Sequence, residues 1–284
     1  MDGPWAEGVL ALAAGVPAIG LLYLGLLAAR GDGASRAAVT IFLVTGLVLA
    51  GIAIGQLGMA LGGDDATASG GTLTWMLALF TMIAASCAAK ARSAACLLIA
   101  ALAAVGLLME AVNWIFDAED LDTFRVLLAL SFAALFASGV AVGGRSGTIL
   151  VAAAGVTVLV GAFGTGGGVF FFGTESGGLG WGWELVTLLE GLALVAYAAQ
   201  RLEPGPAYLA FFLLALFVQT AAAVEEAVFI DEAQDTTAAE ASLVGWPLAL
   251  ALVTVAAVLW GLRQGAPGRG FRSPVLAGSD SERR

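Results

Sequence analysis

Histidine is missing from this chain altogether, and lysine occurs once, at Lys90. Without histidine there is no His-ligated haem, no His-based zinc or copper site and no Ser-His-Asp or Cys-His catalysis. Cysteine is nearly absent too. Cys87 and Cys96 form neither a CxxC pair nor a disulfide framework, and read as small buried hydrophobes. Charge of either sign is sparse, at 12% of residues, against about 25% in an average soluble domain. That scarcity excludes a soluble fold and a disordered chain. The N-terminus, MDGPWAEG, lacks the positive region of a secretory signal, so the first apolar segment is expected to be a retained helix.

What is present is apolar. Of 284 residues 60% are hydrophobic, and the mean hydropathy is +0.95. These values describe an all-α polytopic membrane protein. A helix rises 1.5 Å per residue and the hydrocarbon core is about 30 Å thick. Nine runs meet that length: Ala6–Ala29, Ala37–Leu61, Leu73–Ala89, Ala94–Phe116, Val126–Val142, Ile149–Phe172, Trp183–Ala199, Tyr208–Ile230 and Pro247–Leu262. The remainder, 264–284, reads as a disordered tail.

The connecting segments alternate in sign. One set carries Arg30, Arg36, Lys90, Arg92, Arg145 and Arg201, plus the tail arginines Arg263, Arg269, Arg272, Arg283 and Arg284. That set holds 11 of the 12 basic residues, the exception being Arg125. The positive-inside rule places it in the cytoplasm, with the N-terminus outside and the C-terminus inside. The net charge of −10 then resolves by side. The inner set has 11 basic residues against four acids, or +7; everything else has 18 acids against Arg125, or −17. Trp5, Trp75, Trp114, Trp181, Trp183 and Trp246 cluster near the acidic ends, as an interfacial aromatic belt would. Arginine preferred over lysine, with acidic loops, points to a prokaryotic cell membrane.

After the first helix the chain divides at its basic turns into blocks 37–92, 93–145, 146–201 and 207–263. Each reads as a helical hairpin. Their similar lengths suggest parallel repeats.

Polar residues recur inside the spans at similar depth: Gln56, Glu110 with Asn113, Glu190, then Gln219 with Glu225 and Glu226. Glu110, Asn113 and Asp117 are spaced i, i+3, i+7 and share a helix face, as do Gln219 and Glu226. No lysine or arginine falls within a span core. A bare carboxylate there must be neutral, find donors or water, or bind a cation. The stretch from Gly161 to Gly182 holds ten glycines. Gly164, Gly166, Gly167 and Gly168 can break a helix and offer backbone groups to an ion.

Two acidic segments, Asn113–Asp120 and Asp231–Asp235, resemble the aspartate-rich motifs of the UbiA prenyltransferase superfamily. Those proteins have nine helices and bind a prenyl diphosphate through Mg²⁺. The first segment is one residue short of NxxxDxxxD, and only Arg125 lies within reach of a diphosphate. Charge sidedness puts both segments outside, whereas the family works from the cytoplasmic side. The resemblance is therefore not taken as an assignment.

The leading functional reading is transport or permeation of a small cation or a proton-coupled solute. Gln56, Glu110, Asn113, Glu190, Gln219 and Glu226 would line the path, with Gly164, Gly166, Gly167 and Gly168. Acidic loops would concentrate cations at its mouth. Two alternatives stand beside it: a noncatalytic subunit or scaffold of a larger membrane complex, and a membrane-embedded lipid or isoprenoid enzyme. The expected partners are the lipid bilayer, a small cation or proton, and other membrane proteins. No cofactor and no nucleic-acid partner are expected.

Overall fold

The computed structural model describes residues 4–31, 35–62, 69–117, 121–164, 181–215 and 217. All regular structure among them is helical. Seven helices run α1 Pro4–Arg30, α2 Arg36–Gly62, α3 Gly70–Ala91, α4 Ala94–Phe116, α5 Leu121–Val142, α6 Gly144–Gly164 and α7 Trp181–Arg201. An eighth, α8, is described over Pro204–Ala215. The first five are long and apolar enough to cross a membrane, so the chain is an integral membrane protein by the length and composition of its helices.

The first five apolar runs and the seventh match α1–α5 and α7 to within five residues at each end, and the sixth matches α6 as far as Gly164, its residues 165–172 lying outside the described residues. The fourth coincides with α4 residue for residue. Helices α5 and α6 begin five residues before the apolar runs, because each opens with a polar turn that hydropathy does not register. In α5 that turn is tied by Arg125 to Asp122 at 3.2 Å. In α6 the Thr148 hydroxyl donates to the Gly144 carbonyl at 3.2 Å. The glycines 166–168, most of the Tyr208–Ile230 run, Pro247–Leu262 and the tail lie outside the described residues.

Basic turns close the helices into pairs. Arg92 is left-handed at φ 49° and ends α3. Ser93 then caps α4, accepting from the Cys96 amide at 3.4 Å. Gly143, at φ 63°, and Gly144, at φ 57°, link α5 to α6; glycine takes this conformation without strain. Leu202, at φ 58°, ends α7 before α8 opens on Pro204, a residue suited to a helix's first turn. Ser35 caps α2, accepting from the Ala38 amide at 3.2 Å. Packing is densest within α1–α2, α3–α4 and α5–α6, the pairs joined at the basic end.

Two apolar cores result. The first joins α2, α3 and α4 through Leu43, Leu47, Ala84, Cys87, Cys96 and Ala100, with Leu22 and Leu26 of α1 against it. The second joins α5 to α8 through Phe132, Val151, Ala154, Leu194, Tyr197, Ala210 and Leu213. Phe136 stacks on Phe132 and meets Tyr197 edge-on. Contact between α4 and α6 joins the two halves.

Candidate functional site

Glu190 lies nine residues into α7, about 13 Å along its axis. Leu194, Tyr197 and Ala198 follow it at i+4, i+7 and i+8, the spacing of a single helix face. All three are buried, so Glu190 belongs to the inward face. Only 8% of it is exposed, whereas its neighbour Leu189 is 56% exposed. On the other side Gly191 lets α8 come close: a Cβ there would lie 2.7 Å from Leu214 Cδ2. A carboxylate has thus been set into an apolar seam between packed helices. No hydrogen bond or ion pair reaches it from the described residues. Ser131 on α5 is also buried, and its hydroxyl lacks a partner. Thr157 on α6, by contrast, donates back to the Ala153 carbonyl at 2.9 Å.

Glu110 has a different setting. It is half-buried on α4, near the start of α3. A Cβ on Gly70 would sit 3.4 Å from Glu110 Oε1 and 3.0 Å from Trp114 Cβ. Gly71 lies beneath the Trp114 indole. Helix α3 opens without a side-chain cap, since Ser69 makes no such bond. Its first amides carry the partial positive charge of a helix N-terminus, which favours a nearby carboxylate. Glu110 therefore has a local electrostatic counterpart that Glu190 lacks. The glycine pair that admits it is visible in the sequence, but only the fold brings Trp114 and Glu110 over it.

The remaining candidates divide. Gln56 is half-buried on α2, in the first half of the bundle. Asn113 is exposed on α4, and Asp117 is the exposed left-handed residue that ends that helix. Gly164 is the last residue of α6. Gln219, Glu226, Gly166, Gly167 and Gly168 lie outside the described residues. Glu110 and Gln56 thus belong to one four-helix half and Glu190 to the other. Among the described residues no cluster of three or more Cys, Asp or Glu is arranged to hold a metal ion.

Comparisons with protein-family models, with curated proteins and with solved structures find no match.

Proposed function

We propose that this chain carries a proton or a small cation across a membrane, with Glu190 as the exchanging group. One observation supports this above the rest: a carboxylate on the inward face of α7, 8% exposed, with no partner among the described residues. Ionised carboxylates are costly in apolar surroundings. An ionisable group retained inside a membrane bundle generally serves a pathway or a relay. The unpartnered Ser131 hydroxyl on α5, in the same four-helix half, is a further buried polar group. Glu110, with Gln56 and Asn113, would act at the acidic mouth, where negative loops raise the local cation concentration. Gln219, Glu226 and the glycines at 164 and 166–168 complete the path in this reading.

The topology that accompanies it is nine spans, N-terminus outside, in a prokaryotic cell membrane. Grouping the basic residues into alternate connections supports that orientation. The recurrence of short left-handed turns at Arg92, Gly143 and Leu202 supports the repeat reading.

The test is flux into liposomes reconstituted with the full chain, followed with a pH-sensitive dye and by uptake of monovalent cations. Glu190→Gln should abolish flux while the protein elutes and melts as the parent does. Glu190→Asp should retain part of it. Normal flux in Glu190→Gln defeats the proposal. A parent chain without flux that copurifies with a stoichiometric membrane partner favours the subunit reading.

A further inference from the structure

The basic end of the bundle holds a feature that the proposed pathway does not use. A crevice of about 510 Å³ opens where the α3–α4 turn meets the α5–α6 turn, at the seam between the two halves. Its walls are small or aliphatic: Ala85, Ala89, Leu97, Ala100, Ile149 and Leu150. The polar groups lie in the two turns: Arg92 and Ser93 on one side, Arg145 and Ser146 on the other. Ala100 is six residues into α4 and Ala85 six residues before the end of α3, so the apolar part reaches about 9 Å below the turns.

Both arginines are exposed, and neither is ion-paired among the described residues. A third guanidinium, that of Arg201, lies near Gly143 of the same turn. Two unpaired guanidiniums above an apolar slot select an amphiphile with an anionic head. Guanidinium forks suit phosphate oxygens. A cationic or zwitterionic head would bring positive charge against them. A free anion would leave the apolar slot unfilled.

We propose that this crevice binds one anionic glycerophospholipid, its phosphate between Arg92 and Arg145 and the start of one acyl chain along Ala85, Ala89 and Leu97. Basic pockets between transmembrane helices are suited to acidic headgroups, and each arginine near the surface contributes about a fivefold gain in affinity. The lipid would bridge α3–α4 and α5–α6, fastening the two halves at one end.

The experiment uses the full chain in a neutral detergent. Phosphatidylglycerol is titrated and read by native mass spectrometry and by the melting midpoint. Saturable binding with a rise in midpoint is expected. Phosphatidylcholine should bind at least tenfold more weakly. Arg92→Gln and Arg145→Gln should each weaken binding about fivefold, and about thirtyfold together. Arg125→Gln, at the opposite end, should change nothing. Ala89→Phe fills the slot at an exposed position without altering charge, and should block binding. Should either arginine variant fail to fold, Arg→Lys at that site keeps the charge and should retain most of the affinity. The proposal falls if the double arginine variant or Ala89→Phe binds as the parent does, or if phosphatidylcholine binds equally. It also falls if inorganic phosphate competes as well as the lipid, which would make the site one for free phosphate.

Discussion

Replacing Gly139 by alanine should loosen the α5–α6 pair measurably. Gly139 and Gly147 stand four residues either side of Gly143, and their backbones touch across the turn. A Cβ on Gly139 would lie 2.7 Å from the Gly147 carbonyl oxygen, 2.7 Å from Val151 Cγ2 and 3.0 Å from the Val151 amide nitrogen. Two of those three atoms are backbone, so no rotamer change relieves them; the helices must separate. Overpacking of this kind costs about 1–3 kcal/mol. Alanine returns about 1 kcal/mol of helix propensity, leaving a net loss of about 0–2 kcal/mol. The clean control is Gly106→Ala on α4, where a Cβ meets nothing within 4 Å. It takes the propensity gain alone. The two variants should thus differ by about 1–3 kcal/mol, with midpoints separated by about 2–4 °C per kcal/mol. Thermal melts in detergent, followed by far-ultraviolet circular dichroism and by loss of the monodisperse peak, measure that difference. Equal midpoints for the two variants would refute the backbone contact between α5 and α6.

Two further outcomes are expected. Cys96 is fully buried and Cys87 nearly so, both within the α2–α4 core and both free thiols; a membrane-permeant maleimide should label neither in the folded protein and both after denaturation. Ser35→Ala removes the cap on α2 and should cost about 1 kcal/mol, seen as a lower midpoint and as faster amide exchange confined to the first turn of α2.

The helices were legible because membrane segments announce themselves by length and hydropathy alone. For α4 that signal had sharp edges: Ser93 before it and Asp117 after it are both polar caps. For α5 and α6 it did not, since their first turns are polar yet helical. The Arg125–Asp122 pair in α5 and the turn at Gly143 before α6 decide that, and hydropathy is blind to both. The candidate site was harder to read. Depth within its run singled out Glu190, and the fold settles its face: Leu194, Tyr197 and Ala198 share it and are buried. Spacing also grouped Gln56 and Glu110 with it by depth. Depth is a coordinate along one axis only, and the two cores separate them laterally. Arg92 and Arg145 were read for sidedness, not as neighbours, because proximity across 53 residues of sequence is set by how α4 meets α6.

The turns at Arg92–Ser93, Gly143 and Leu202–Glu203 bear on how such a chain enters a bilayer. Two residues can reach only about 7 Å, less than the diameter of one helix. A turn that short keeps the ends of the two helices together from the moment both have formed. The α3–α4 pair, both of whose helices are long and apolar enough to cross a membrane, would then enter as a unit, each helix bringing its own partner. Assembly then reduces to lateral docking of preformed pairs. The last contacts to form would be those between pairs, with the seam of α4 against α6 among them.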